Sequence, residues 1–260
     1  MKTHFTKAAF SLLTMAALTL TACDDSNDNE DPDTDPIPTA CVLTKMVDDA
    51  GNKTTFTYND QGYVTTISYE NTKDFDYGSL ITNYIYDSNN QVIRQEYQEN
   101  GEDAGYTAYT YFEGFLTKSD YYKNGVLVKT ENFSYNDGRI VRITDSNGNE
   151  KTFTYNSKGN ITEIRSTEGD KIVRTVYNGH DEMKTPYSAV KGYLYASAYS
   201  KNNPVYSSTY HVTNTQEVMI TNSVFRYYEY NDLNQPTNIE EQQDNGFGLV
   251  INTNLTYDCD

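Results

Sequence analysis

The sequence predicts an all-β protein. The expected architecture is an antiparallel up-and-down meander of roughly fifteen strands, forming one strongly curved sheet or a closed or near-closed barrel. Three observations carry this. A short turn motif, Tyr followed by Asn or Asp and ending in Gly or Asn, recurs from Tyr58 to Tyr257 at a mean spacing of about 25 residues. A second set of turns lies between the motifs, at Asp49, Glu99, Lys123, Asp145, Thr167 and Asp244, so each period holds two strands. The runs between turns alternate apolar and polar residues and are rich in Thr, Val, Ile, Tyr and Phe, while helical spacing is almost absent.

The motif runs along the chain as YNDQG at Tyr58, YDSNN at Tyr86, YFEG at Tyr111, YNDG at Tyr135 and YNSKG at Tyr155. It continues as YNGHD at Tyr177, a degenerate YSKNN at Tyr199, YNDLN at Tyr230, and a closing Tyr257-Asp258. Each part has a chemical reason. The Asn or Asp side chain bonds the backbone two residues on, making an Asx-turn. Gly62, Gly138 and Gly159 take the positive φ that closes a tight hairpin. The Tyr lays its ring over the sheet and is expected to turn its hydroxyl to water. In the strands, Phe56 and Tyr58 share a face, Tyr63, Ile67 and Tyr69 oppose Val64, and Leu80, Tyr84 and Tyr86 oppose Ile81 and Ile85. Residues 181–200 have room for one helical turn, limited by Pro186.

A lipid-facing barrel strand needs about nine to eleven residues with one apolar face. These runs are shorter and carry polar residues on both faces, as at Thr82 and Asn83 or Thr117 and Lys118. The expected barrel is therefore soluble rather than membrane-spanning. An open sheet of this size would expose edges that recruit other chains, so it should curl or close.

The amino terminus reads differently. Lys2 and Lys7 precede an apolar stretch from Ala8 to Leu20, too short for a spanning helix and of signal-peptide proportions. It ends in Leu20-Thr21-Ala22-Cys23, which resembles the bacterial lipobox. That resemblance implies a signal peptide over residues 1–22 and lipid attachment at Cys23. Residues 23–40 are then the anchor and an acidic tether: of the sixteen residues 24–39, seven are acidic and three are Pro. Such a segment buries too little apolar area to fold and spans up to about 50 Å when extended. Residues 41–260 form a single repeat domain.

The unit Y-(N/D)-x-x-G-x-(I/V/L) resembles the YD or RHS repeat of bacterial surface and toxin proteins, best at Tyr135–Ile140 and Tyr155–Ile161. Together with the lipobox and the acid-rich tether, it resembles a group of Bacteroidetes lipoproteins described as a domain of unknown function with a porin-like β fold. The acidic residues Asp24 and Asp25 are also similar to the surface-export signal of such lipoproteins. The resemblance implies a cell-envelope protein, lipid-anchored to the outer membrane and facing the cell surface.

Chemistry-bearing residues are few. The chain has 260 residues, 25 Tyr, no Trp, three His and three Cys, and a formal charge of −17. That charge argues against nucleic-acid binding. Apart from Cys23, the cysteines are Cys41 and Cys259, before the first strand and after the last motif. A bond between them needs Cα atoms within about 7 Å and would make the first and last strands neighbours; the alternative is two separate thiols. His180 and His211 share no motif, and no HExxH, GxSxG, CxxC or Walker loop occurs. Asp145–Glu150 has alternating oxygen ligands like part of a calcium loop but falls where a hairpin turn belongs. The expectation is no enzyme, no cofactor and no metal. Partners are the membrane, through the lipid on Cys23, and an unknown protein or glycan ligand. Two functions fit: a non-catalytic binding or scaffold lipoprotein, or a glycan-binding lipoprotein assisting carbohydrate uptake. The irregular stretch between Tyr177 and Tyr230, with Asn202–Tyr206 at its centre, is expected to form either a special surface or a cap over an open end of the sheet.

Overall fold

Strand after strand pairs with its sequence neighbour until the last meets the first. The computed structural model describes residues 41–71, 78–193, 200–213, 217–244 and 248–259, all within the compact unit Pro38–Asp260. Cys23, the tether and Tyr199 lie outside these. The strands are β1 (Cys41–Asp48), β2 (Lys53–Tyr58), β3 (Val64–Glu70), β4 (Ser79–Tyr86), β5 (Val92–Glu99) and β6 (Glu102–Phe112). They continue as β7 (Phe115–Lys123), β8 (Val126–Asn136), β9 (Arg139–Asp145), β10 (Glu150–Tyr155), β11 (Ile161–Glu168) and β12 (Lys171–Tyr177). The rest are β13 (His180–Lys184), β14 (Asn202–Pro204), β15 (Tyr206–Val212), β16 (Glu217–Tyr230), β17 (Pro236–Gln243) and β18 (Val250–Cys259). Sixteen form a closed antiparallel barrel, in which β12 pairs with β15 and β18 with β1. Closure removes the free edges that an open sheet would present. The remaining two, β13 and β14, pair with each other.

The barrel has two unlike ends. All the tyrosine motifs that begin among the described residues lie at one, together with Cys41 at the start of β1. In β1–β18 register Cys41 faces Cys259, and a disulfide joins them, so the covalent link sits on the seam of the ring.

A buried ring lines the wall near the tyrosine end. Even-numbered strands supply the aromatic residue two positions before the motif Tyr: Phe56, Tyr84, Tyr109, Phe133 and Phe153. Odd-numbered strands supply the apolar residue after the turn: Val64, Val92, Leu116, Ile140 and Ile161. Leu43 and Leu255 complete it across the seam. The face assignment of β3 needs correction. Val64 and Ile67 point the same way, not oppositely: both join the core. The cause is a register shift between Thr57 and Tyr58, which leaves Thr65 as an extra residue in β3. The same shift occurs before Tyr86, Tyr111, Tyr135, Tyr155 and Tyr230. Each bulge breaks the two-residue alternation and brings residues i and i+3 to one face. Ile140 with Ile143, and Ile161 with Ile164, follow this rule.

Outward positions are mixed, with exposed Ile85, Ile93, Phe225 and Tyr227 set among charged side chains. Arg94–Glu96, Lys118–Asp120 and Arg142–Glu150 are ion pairs, and Arg174 bridges Glu163 and Glu217. No helix among the described residues is long and apolar enough to cross a membrane.

Candidate functional site: a plugged lumen under a tyrosine ladder

Six of the recurring tyrosines form a hydrogen-bonded ladder. Tyr58 Oη donates to the Leu43 carbonyl and Tyr86 to that of Val64, each at 2.5 Å. Tyr111 donates to Val92 at 3.0 Å, Tyr135 to Leu116 at 2.9 Å and Tyr155 to Ile140 at 2.9 Å. Tyr257 donates to Pro236 at 3.0 Å. Except for Leu43 in the first strand, each acceptor belongs to the apolar residue that follows the preceding motif. These carbonyls lie two residues before the strand ladder to the next neighbour begins, as Val92 does before Arg94 pairs with Ala108. The strands splay there, and the tyrosine hydroxyl satisfies the acceptor that the sheet leaves behind. The expectation that these hydroxyls reach water is therefore corrected: the ring fills the gap and the hydroxyl closes the backbone. Burial pushes Tyr86, Tyr111 and Tyr155 up to about 12, and raises Tyr58, Tyr135 and Tyr257 in the same direction. On the other side of three of the bulges a threonine does similar service: Thr65, Thr117 and Thr162 donate to the carbonyls of Thr57, Thr110 and Thr154.

The turns divide into two kinds. Asn59, Asp87, Asn156 and Asn231 accept backbone N–H groups two and four residues on, closing five-residue loops. Tyr111 and Tyr135 instead lead into two-residue turns, Glu113-Gly114 and Asp137-Gly138, with positive φ at both positions. Gly62, Gly138 and Gly159 have φ of 75°, 74° and 88°. Asp145 Oδ1 accepts from Asn147 and Asn149, so the calcium-like stretch is another Asx loop.

Tyr230 departs from the ladder. Its hydroxyl donates to the Asp181 carboxylate, and Tyr228 takes the Pro204 carbonyl at 2.9 Å. Both contacts serve an excursion from the wall after β12, whose described residues, 178–193 and 200–205, fold into the tyrosine end as a plug. It carries the β13–β14 pair and a single 3-10 turn, Pro186–Ala189, which Pro186 starts rather than limits. Val190 packs into the buried ring, and the Lys191 carbonyl accepts the Val64 N–H at 3.0 Å. Ser200 Oγ accepts the Ile161 N–H at 2.9 Å and meets His180 Nε2 at 3.2 Å. Desolvation pushes the His180 pKa below its usual value. The plug thus touches β3 and β11, eight strands apart in the ring of sixteen. Asn203, expected at an exposed surface, is only 1% exposed: it donates to Asp181 and to the Lys184 carbonyl. Of the two expectations for this stretch, the structure has the cap. His211 sits in β15, away from it.

Between plug and wall lies a cavity of about 680 Å³. Its apolar lining includes Met46, Ile143, Ile161, Ile164 and Ile239, its aromatic lining Tyr177, Tyr187 and Tyr228. Four ionisable side chains also face it: Glu131, Lys151, Arg226 and Glu241. Farther round the wall the interior is polar as well. Buried Gln95 accepts from Tyr109 and Tyr97, and the Tyr97 hydroxyl also lies 2.9 Å from Thr107 Oγ1. No signal in the turn motif marked these lumen residues, because the bulges reassign which strand positions point inward.

Comparisons with known proteins agree with this architecture. Residues 136–171 match the RHS Repeat family model. A porin-like protein from Bacteroides uniformis superposes with a TM-score of 0.58 at 14% identity, over 84% of this chain and 97% of that one. The chain is similar to RHS-repeat proteins in sequence and to a porin-like barrel in fold. A porin-like protein from Bacteroides vulgatus gives a TM-score of 0.39 at 12% identity, covering 84% of this chain and 99% of that one. The Tc holotoxin pore of Photorhabdus luminescens gives 0.28 at 14% identity, covering 77% of this chain and 11% of that one. Among curated proteins none matches.

Proposed function

We propose that this protein is a non-catalytic, lipid-anchored binding protein of the cell envelope, displayed at the outer-membrane surface, whose ligand occupies the barrel lumen. The observation that carries this reading is the cavity: a space of about 680 Å³, within the range of small-molecule sites, with a floor built from the plug and walls of mixed apolar and charged side chains. A mere spacer would gain stability by filling that volume. The outward ion pairs support a wall that faces water. On a lipid-facing wall each such cation would cost about 2–4 kcal/mol near the midplane. The anchor rests on the lipobox-like Leu20–Cys23, and the surface location on the acidic residues behind it.

Native mass spectrometry of the full chain from its own membranes tests the lumen. A small-molecule adduct that disappears when Ile164→Trp fills the cavity is expected; an adduct indifferent to that substitution argues against the lumen. Cys23→Ser should move the protein out of the membrane fraction, and protease treatment of intact cells should degrade the wild type. Glycan binding is the second reading. It is favoured by the Tyr106–Tyr122 pair on the outer wall, stacked at 4.8 Å with Arg94 3.8 Å above the Tyr106 ring. Glycan-array signal lost in Tyr106→Ala would select it.

A further inference from the structure

Three of the four ionisable groups lining the cavity are already neutralised by the wall. Arg226 Nε lies 2.5 Å from Glu241, and its Nη1 donates to Ser207 at 3.0 Å. Glu131 accepts from Lys129 Nζ at 2.8 Å and from Ser119 at 3.2 Å. The fourth, Lys151 on β10, is solvent-exposed, and its ammonium takes part in no hydrogen bond or ion pair among the described residues, although the chain carries 37 acidic residues against 20 basic ones. Its position in the strand aims it inward: Phe153, two residues on, belongs to the buried ring, and in register Lys151 opposes Ile143, which lines the cavity too. The lumen therefore presents one unpartnered ammonium beside an aliphatic wall of Ile143, Ile164, Met46 and Ile239.

That pairing selects a ligand chemistry. A cationic ligand would find both cavity carboxylates already engaged. A small inorganic anion would leave the apolar wall uncovered. A neutral apolar molecule would leave the ammonium to water. A molecule with an anionic head and an apolar body satisfies both surfaces at once. Building on the lumen reading above, we propose that the cavity binds an amphipathic organic anion, a carboxylate on an aliphatic or aromatic body, with its head on Lys151 and its body along Ile143 and Ile164.

The test uses the full chain in phosphatidylcholine nanodiscs, titrated calorimetrically at pH 8 against empty discs, with decanoate and 1-decanol as a matched charged and neutral pair. Wild type is expected to bind decanoate at least fivefold tighter than decanol. Lys151→Met, which keeps the stem and removes the charge, should abolish that preference while leaving decanol unchanged; Lys151→Arg should retain it. Ile164→Trp should remove both. If decanol and decanoate bind wild type equally, or Lys151→Met keeps the preference, the anion assignment is overturned while the lumen reading stands. If neither probe binds, or Ile164→Trp leaves binding intact, the lumen reading itself fails. A circular-dichroism melt of each variant, matching wild type, shows that Lys151 acts on the ligand and not on folding.

Discussion

At the tyrosine end, almost every backbone group left over by the splaying strands has a partner: six ladder hydroxyls, three bulge threonines and a plug that spans the opening. At the opposite end, the strands run past one another without such closure. Val126–Val128 of β8 extend beyond the first β9 partner, Glu131 with Asp145, and are 50–65% exposed. The turns there combine their own Asx and positive-φ chemistry with bonds to neighbouring turns, from Ser79 N–H to Asn100, Gly169 N–H to Asn149 and Asn252 N–H to Asp49. The contrast teaches that the repeat is an end-sealing device. Its Tyr is placed where a barrel wall would otherwise leave carbonyls unsatisfied.

Alkali should break the contrast most strongly. The ladder tyrosines have folded acidity constants raised above the unfolded value of 10, to about 12 for Tyr86, Tyr111 and Tyr155. Their contribution is complete below pH 10 and is lost as pH rises through about 12. The tyrosine end should therefore open cooperatively between those values, seen as coincident phenolate absorbance and loss of strand circular dichroism. Gradual ionisation well below the unfolding transition would contradict it.

The seam comes next. The Cys41–Cys259 bond closes a separation of 218 residues, for which the chain-entropy model gives about 5 kcal/mol. Cys41→Ser should lower the melting temperature by about 10–20 °C, measured by scanning calorimetry. An unchanged midpoint would assign closure to the β1–β18 ladder alone. Within the plug, Asn203→Ala removes one of several donors to Asp181 and the side-chain donor to the Lys184 carbonyl. A cost of about 3 kcal/mol is expected, with proteolytic cleavage appearing between residues 178 and 205 before global unfolding.

Single ladder rungs are smaller. Tyr155→Phe keeps the ring and orphans the Ile140 carbonyl, at about 1–2 kcal/mol by urea denaturation; Tyr111→Phe should add to it independently. The least effect separates turn chemistry from end chemistry. Gly138→Ala at the tyrosine end and Gly125→Ala at the open end, with φ of 74° and 73° and no atom near the added carbon, should each cost about 1 kcal/mol. A much larger loss at Gly138 would mean that the ladder depends on that turn.

Much of this was legible from residues alone. Asx and glycine turn chemistry is local, so the hairpin positions, the strand class and the meander could be read at Asn59, Gly62, Asn156 and Gly159 without any partner strand. The bulges could not. Val64 and Ile67 share a face because a register shift opposite Tyr58 inserts one residue, and a shift is a property of two strands. The tyrosine hydroxyls were assigned to water for the same reason: the acceptor, such as Ile140 for Tyr155, lies about one repeat back in sequence and becomes a neighbour only when the strands pair. Closure, the plug across β3 and β11, and the isolation of Lys151 in the lumen were likewise decided by tertiary structure. Each depends on which residues a sixteen-strand ring brings opposite one another, and turn chemistry acts over only a few residues of chain.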